Sequence, residues 1–290
     1  MANTIALAKN YTSILDEVYK KASVTADLTS DNTMVRAGAN ANEIVYPQIS
    51  VSGLGDYDRN SGYTNGSVNL EWKTATFNYD RGTKISVDVM DNEESRDIAF
   101  TMAGSELMRT KVAPEADAFV FATLAGKTGI SKATPATYED ATAFLTALIE
   151  AKNTMDEDEV PEEGRILYAT PTLLNGVMAL DTTKSREVLA TFSKTVKVPQ
   201  SRFYTAIDLL DGKTSGEEAG HYAKASTGKD INFMIVHKPA VIKFDKHTAS
   251  DIIPASANAN ADADISKYRK YGIVDVYDNK VAGIYLSHKA

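Results

Sequence analysis

Two short Gly-Lys-Thr segments, at residues 126–128 and 212–214, come closest to a motif that carries chemistry. A phosphate-binding loop ends in this way because its backbone amides and its lysine surround the phosphates of a nucleotide. That loop also requires a glycine five residues before its last glycine, and these positions hold Phe121 and Ile207. Both segments are therefore predicted to be ordinary loops.

Other catalytic signatures are missing from the sequence, which has no Gly-x-Gly-x-x-Gly, Gly-x-Ser-x-Gly or His-Glu-x-x-His pattern. The absence of cysteine excludes thiolate metal sites and thiol nucleophiles. None of the four histidines is spaced to share a metal with a neighbour: His221, His237, His247 and His288. Because catalysis needs converging acids, bases or nucleophiles, we predict no enzyme and no catalytic, cofactor-binding or metal-binding residues.

Every second residue from 258 to 264 is Asn or Asp, an arrangement similar to a calcium-binding loop. That loop needs a glycine at its sixth place and a glutamate at its twelfth, where this sequence has Ala263 and Arg269. An ordinary turn is predicted. The acidic segment 156–163 is interpreted as a solvated surface, and a divalent cation there, at a junction between subunits, stays an open alternative.

Composition narrows the class of protein. A net charge of −8 argues against a nucleic-acid binder, which needs clustered lysine and arginine, but it suits the wall of a container. The longest uncharged stretch, residues 166–180, contains Pro171 and is shorter than the ~18 apolar residues of a membrane-spanning helix. The N-terminus lacks the features of a secretory signal, so we expect synthesis in a cytoplasm.

The first ninety residues predict elements that one subunit cannot bury alone. Residues 1–45 are short amphipathic and polar pieces, interpreted either as an arm that becomes ordered on a neighbour or as a frayed terminus. A long β-hairpin follows, with strands at about 44–51 and 67–89 and a glycine-rich tip that ends in the turn dipeptide Asn65-Gly66. A two-stranded ribbon cannot cover its own aromatic side chains, which are Tyr57, Tyr63, Trp72, Phe77 and Tyr79.

The strongest helix pattern runs from about residue 92 to residue 125, with an acidic first turn and a stop at Gly126. Its length is on the order of 50 Å, longer than a compact domain of this size usually needs. Pro114 is predicted to bend it, since an interior proline costs ~3 kcal/mol and a backbone hydrogen bond.

The remaining sequence alternates between helix and strand patterns. A helix is predicted over 138–155, opened by a capping box at residues 137–140, and a second one over 171–180 with proline at its first position. The predicted strands are residues 165–169, 231–236, 240–243, 273–277 and 281–287. The last two are expected to form a terminal hairpin.

This order of elements resembles the tailed-bacteriophage major capsid family with the Hong-Kong-97-type fold. Residues 78–88, followed by 90–94, are similar to the junction of extended loop and spine helix in coats of phages of Gram-positive hosts. Residues 109–117 in the helix, and residues 268–271 leading to 278–285, are similar to that family as well. The resemblance covers nearly all of the chain from about residue 44.

The resemblance implies an α+β protein with no catalytic residue and no cofactor, the subunit of an icosahedral shell of pentamers and hexamers in a virion. Neither sequence-specific binding of nucleic acid nor a membrane is expected. A separate scaffolding protein and a portal are the expected partners, since the extended loop begins too early for the N-terminal scaffolding segment of some members. The implied parts are an N-terminal arm (1–45), an extended loop (46–85), a peripheral domain with the spine helix (86–135), an axial domain (136–230) and the return strands of both domains (231–290).

Two other classes of protein stay open. An encapsulin-type nanocompartment shell has the same fold but encloses enzymes, so its gene neighbours would be a cargo enzyme instead of a portal and a terminase. A cytoplasmic α/β enzyme or ligand-binding protein would stay monomeric and bind a small molecule.

Overall fold

The computed structural model describes residues 22–30, 36–37, 42–60, 62–94 and 98–290. The chain divides into two compact units. Residues 31–78 form the hairpin unit, and residues 1–30 together with 79–290 form the body. The first half of the predicted arm, residues 1–21, lies outside the described residues.

The hairpin unit is a three-stranded antiparallel sheet in the order β1-β2-β3. Its strands are β1 (Arg36–Ala37), β2 (Glu43–Val51) and β3 (Val68–Thr76), and β2 pairs with β3 from Glu43↔Thr76 to Val51↔Val68. The backbone amide of Phe77 donates to Asn42 O at 3.0 Å and closes the ribbon.

The prediction of one returning strand over residues 67–89 is wrong. The chain leaves the ribbon after Thr76, and β4 (Tyr79–Asp88) belongs to another sheet in the body, where it pairs with a strand near the C-terminus. Alternation of apolar residues continues on both sides of the break. The alternation of apolar residues therefore predicts both strands. It does not predict which strands they pair with, because pairing depends on tertiary packing.

The sheet that contains β4 has three long antiparallel strands in the order β11-β12-β4. Strand β11 is Val241–Ile253 and β12 is Ala263–Val276. Both extend well beyond the predicted 240–243 and 273–277, because the additional residues lack a continuous apolar run: those of β11 are half-buried or exposed, and those of β12 include charged and polar residues at buried positions.

A five-stranded sheet forms the centre of the body, in the order β5-β13-β10-β6-β7. Its strands are β5 (Ser131–Lys132), β6 (Arg165–Ala169), β7 (Lys194–Lys197), β10 (Ile231–His237) and β13 (Ile284–His288). A small hairpin, β8 (Ile207–Leu209) with β9 (Tyr222–Lys224), lies between β7 and β10 in the sequence.

The predicted terminal hairpin is also wrong. Residues Asp278–Gly283 form a 3-10 segment that carries the chain from β12 into the five-stranded sheet, so β12 and β13 do not pair. Beside it, Lys238–Ala240 makes the crossing from β10 to β11, and Tyr277 N donates to Ala240 O at 3.0 Å. A Cβ on Gly283 would lie 2.8 Å from the Ala240 Cβ, so the crossings approach closely only because this residue is glycine.

The long helix is built from α1 (Val89–Glu94), α2 (Ile98–Leu107), a π-helical turn (Met108–Val112) and α3 (Ala113–Gly126). In the π turn the Ala113 amide donates to Met108 O, five residues earlier. Pro114 follows directly, in the first turn of α3, where its missing amide costs least. The proline is therefore preceded by a π turn within the helical run, and Gly126 ends the helix as predicted.

Three shorter helices complete the body: α4 (Ala141–Glu157), α5 (Pro171–Leu180) and α6 (Thr183–Ala190). The predicted capping box at residues 137–140 is wrong. Asp140 itself is the N-cap, because its Oδ1 accepts the Ala143 amide at 2.6 Å. Among the described residues, no helix has the length and apolar character needed to cross a membrane.

The core lies on both faces of the five-stranded sheet. Alternate residues of β6, β10 and β13 face α3 with Phe121 and Leu124, and the residues between them face α4 and α5 with Phe144 and Leu148. Every residue of β10 is buried. A strand covered on both faces needs a continuous apolar run, which explains why this strand was clear in the sequence.

Candidate interaction surface

The distal half of the hairpin unit has one face made only of apolar side chains. Residues that pair across an antiparallel ladder point to the same side of the sheet. The pairs Pro47↔Trp72, Ile49↔Leu70 and Val51↔Val68 therefore share a side, which we call the apolar face. Trp72 is 45% exposed and Val68 is 71% exposed, so these side chains are largely in contact with solvent.

The opposite face of the same strands is polar. It carries the pairs Gln48↔Glu71 and Ser50↔Asn69, and Lys73 forms an ion pair with Glu71 at 3.2 Å. A ribbon that is apolar on one side and polar on the other is built to cover a surface with one side while the other stays in water.

The tip of the hairpin is a compact turn with further apolar groups. Asp58 and Gly62 exchange backbone hydrogen bonds of 3.2 and 2.7 Å, and the rings of Tyr57 and Tyr63 lie 4.8 Å apart on either side. The predicted turn at Asn65-Gly66 is wrong. The chain reverses at Asp58–Gly62, where Gly62 has a φ of 79° that favours glycine.

Exposed hydrophobic groups concentrate in the hairpin unit. Among the described residues, it carries eight of the ten large hydrophobic side chains that are exposed; the two in the body are Met90 and Met178. Scattered single residues of this kind are normal on a soluble protein, but a contiguous set marks an interaction surface. Of the aromatic side chains predicted to be exposed, Tyr79 is an exception, since it is buried against Phe119 with ring centroids 5.0 Å apart.

Residues 22–30, in the second half of the predicted arm, are fixed to the body by one buried carboxylate, that of Asp117 in α3. This carboxylate accepts hydrogen bonds from Ser23 Oγ at 2.7 Å, Val24 N at 3.0 Å, Thr25 N at 3.1 Å and Thr25 Oγ1 at 2.7 Å, and its Oδ2 binds Arg202 at 3.0 Å. Leu28 of the same segment is buried in the main core. This described part of the arm therefore belongs to the packed body.

A buried lysine holds the same segment from the other side. Lys243, in β11, donates from Nζ to Thr25 O at 2.6 Å and to Thr25 Oγ1 at 3.0 Å. Burial, with a contribution from the nearby Lys270, lowers the pKa of Lys243 to about 8. The charged amine is therefore tolerated here at a cost, which its two hydrogen bonds only partly offset.

We expect Lys243→Met to change how stability depends on pH. The folded-state pKa of about 8 lies below the usual lysine value of 10.5, so the unfolded chain binds more protons between these two pH values. The lysine therefore contributes a free energy of unfolding that rises with pH across that window. In denaturant melts at pH 7, 8, 9 and 10, the free energy of unfolding of wild type should rise relative to that of the variant. A difference that stays constant with pH would contradict the assignment.

Glu115, two residues before Asp117, joins α3 to β4. Its Oε1 accepts from Arg81 Nε at 2.7 Å and from Tyr79 Oη at 3.2 Å, and Arg81 also donates to His221 O at 3.1 Å. Burial by itself would raise the pKa of Glu115. The nearby His221 and Arg81 lower it by more than burial raises it, so the pKa lies below its usual value. The group is therefore charged at neutral pH.

The residues singled out in the sequence as possible chemistry have structural roles. In the 212–214 segment the carboxylate of Asp211 accepts the amides of Lys213 and Thr214 at 2.7 and 2.8 Å, and with the Thr214 hydroxyl these bonds lower its pKa to about 2. The protein's own carboxylate thus uses the amides that a phosphate would need. In the acidic segment, Asp156 binds the buried Arg165 at 2.7 Å.

The calcium-like segment is the turn between β11 and β12, in which Asp264 Oδ1 accepts the Ala255 amide at 2.9 Å. Among the described residues, no three His, Asp or Glu side chains are grouped to bind a metal. The four histidines are dispersed. His237 ends β10, where burial lowers its pKa, and His247 lies in β11.

Sequence reasoning missed Asp117, Glu115 and Lys243. The available signal was the presence of two acidic residues, Glu115 and Asp117, in an apolar helix within three residues after Pro114. Since charged residues are rarely buried without a partner, such acids indicate buried ion pairs, but the partners are distant in sequence and no local pattern identifies them.

Comparisons with solved structures identify the fold. A chain in the mature capsid of bacteriophage PhiM1 matches with a TM-score of 0.60 and 13% identity, over 88% of this chain and 84% of that chain. A chain in the capsid of the cyanophage P-SCSP1u matches with a TM-score of 0.57 and 13% identity, over 88% and 85%. A virus-like particle from Pyrococcus furiosus matches with a TM-score of 0.60 and 9% identity, over 97% and 99%.

No protein-family model matches the sequence, and no curated protein matches it either. The structural likeness nevertheless extends over about nine tenths of the chain. The comparisons therefore identify the architecture: this is an α+β chain with the Hong-Kong-97-type fold that phage major capsid proteins have, as the sequence resemblance implied.

Proposed function

We propose that this chain is the major coat subunit of a tailed phage, which assembles with copies of itself into the icosahedral head around the genome. The observation that carries the proposal is the apolar face of the hairpin unit. A subunit that functions alone gains nothing from six apolar side chains on one side of a ribbon, whereas a subunit of a shell needs such a surface.

The energetics favour repeated contacts between copies. Each fully buried large apolar side chain is worth ~1.5–3 kcal/mol, so even partial burial of this face stabilises each contact substantially. A contact between two different patches on identical subunits is heterologous, and such contacts either close into rings or propagate. In pentamers and hexamers, the hairpin of each subunit would cover the next subunit. Such contacts would close into rings, and contacts between rings would extend the shell.

The proposed role is structural, and it takes place in the virion. The acidic charge of −8 suits a wall that encloses nucleic acid without binding its sequence, since phosphates are not attracted to it. A separate scaffolding protein and a portal are the partners we propose, with assembly in the cytoplasm of a host bacterium. The domain boundaries of the sequence analysis, from the arm at 1–45 to the return strands at 231–290, are retained as part of this proposal.

A nanocompartment shell is the second candidate function. It has the same fold, and the match to a virus-like particle from Pyrococcus furiosus over almost the full length of both chains does not favour it over the coat function. The two functions differ in their contents, since one shell contains DNA and the other contains protein cargo.

Electron microscopy and light scattering of the purified chain, alone and co-expressed with a candidate scaffolding protein, test the proposal. We expect closed, hollow, symmetric particles with no bound metal or cofactor. A stable monomer at high micromolar concentration, without particles, sheets or tubes, would refute a shell function. Particles that retain an enzyme and never DNA would favour the nanocompartment.

A further inference from the structure

The two chain segments that flank the hairpin unit in sequence are held by two acids of one helix. Asp117 binds residues 23–25, just before the unit, and Glu115 binds Tyr79 and Arg81, just after it. Residues two apart on an α-helix point about 200° apart around its axis, so the two acids leave α3 on opposite sides. Each of the two flanking segments is therefore held by its own carboxylate, and we call these two contacts the attachment at Asp117 and the attachment at Glu115.

The attachment at Asp117 is closed to solvent. Asp117 is 0% exposed, and all its acceptor positions are used by backbone amides, hydroxyls and a guanidinium. Arg202 also donates to Ala22 O at 2.9 Å, and Ser30 Oγ donates to Val241 O at 2.8 Å at the other end of the segment. Opening this attachment would leave buried charges and amides without partners, so it opens only when the body unfolds.

The attachment at Glu115 borders a cleft, although the Glu115 side chain itself is only 9% exposed. Glu115 and Arg81 line a cleft of about 500 Å³ together with Lys111 and His221, and the Arg81 side chain is 24% exposed. His221 Nδ1 lies 3.6 Å from Glu115 Oε2, too far for a hydrogen bond, and this ring nitrogen has no hydrogen-bond partner within the described residues. The donors to Glu115 are the side chains of Arg81 and Tyr79, which border this cleft, whereas opening at Asp117 leaves the backbone amides of Val24 and Thr25 without a partner, so separation costs less at Glu115.

We propose that the Arg81–Glu115 pair is a releasable contact, and that β4 separates from α3 at this point while residues 22–30 stay in place. Of the two segments that flank the hairpin unit in sequence, one is thus held permanently and the other can be released. Its use during assembly rests on the proposed coat function. The release itself is a property of the free subunit and is tested there.

Hydrogen–deuterium exchange of the unassembled full-length chain, read by mass spectrometry, tests the asymmetry. Because β4 is the edge strand of its sheet, loss of its contact with α3 lets its first residues fray from β12. In Glu115→Gln we therefore expect amides of residues 79–83 to exchange about tenfold faster than in wild type, with residues 22–30 unchanged. Arg81→Lys keeps the charge but loses the paired geometry, so a smaller increase in the same peptide is expected.

The matched control is Asp80→Asn, which removes one carboxylate charge from the neighbouring, exposed Asp80–Arg269 pair on the same strand. This variant should leave exchange in both segments close to the wild-type rate. Equal acceleration of residues 22–30 and 79–83 in Glu115→Gln would show one cooperative unit and overturn the proposal. An unchanged rate at residues 79–83 in both Glu115→Gln and Arg81→Lys would also overturn it.

Discussion

Leu70→Asp is expected to abolish assembly while leaving the subunit folded. Leu70 lies at the centre of the apolar face, opposite Ile49, and is largely exposed in the single chain. An aspartate there is solvated in the free subunit and costs little. In a contact it replaces ~1.5–3 kcal/mol of apolar burial with a charge removed from water.

The effect is expected to be large because the contact recurs at every subunit. A loss of about 3 kcal/mol per contact lowers each association constant roughly a hundredfold, and a closed ring multiplies the loss. Sedimentation and negative-stain microscopy would measure the fraction assembled, and circular dichroism would confirm the fold.

Asn69→Asp is the matched control for this variant. It adds the same charge on the adjacent residue of β3, but on the polar face of the ribbon. We expect particles in near wild-type yield. Equal loss of assembly in both variants would mean that added charge, and not the apolar face, decides the outcome.

Asp117→Ala is expected to destabilise the body by about 3–5 kcal/mol, the usual cost of removing one partner from a buried ion pair. The alanine leaves the Arg202 guanidinium and the amides of Val24 and Thr25 without their acceptor inside the protein. Asp117→Asn should lie between alanine and wild type, since an amide oxygen at the Oδ1 position still accepts three of the donors. Denaturant unfolding followed by circular dichroism would measure the series.

Asp80→Ala provides the comparison for this series. It also breaks an arginine–carboxylate pair, with Arg269 at 2.6 Å, but both side chains are about half exposed. Exposed pairs contribute about 0–1 kcal/mol, so little change is expected. If the two alanine variants lost equal stability, burial of Asp117 would not be the cause.

Several elements were predictable because a local signal was enough to define them. Strand β6 and helix α5 have the predicted bounds, since a buried five-residue strand and a helix opened by Pro171 are complete within their own sequence. The apolar face was partly visible in the alternation of Val68, Leu70 and Trp72. Its other half, Ile49 and Val51, needed the strand register, which the pattern alone does not provide.

The errors share a physical cause, which is that pairing depends on residues far apart in the chain. Residues 67–89 were predicted as one strand because the alternation of apolar residues continues where the chain passes from one sheet to another. The prediction of a terminal hairpin was wrong because residues 278–283 cross to another sheet, where Gly283 lets this crossing pack against residues 238–240. The attachments at Glu115 and Asp117 were not predictable at all. Their partners lie 34 to 94 positions away, and only the folded chain brings them together.

The apolar face has an optical consequence as well. The chain contains a single tryptophan, Trp72, and it lies on this face, partly in water. Indole emission moves to shorter wavelength and becomes less accessible to soluble quenchers when water is removed from the ring. The intrinsic tryptophan fluorescence of the whole protein therefore comes from this one surface. Its emission wavelength reports whether the apolar face is covered, without any added label.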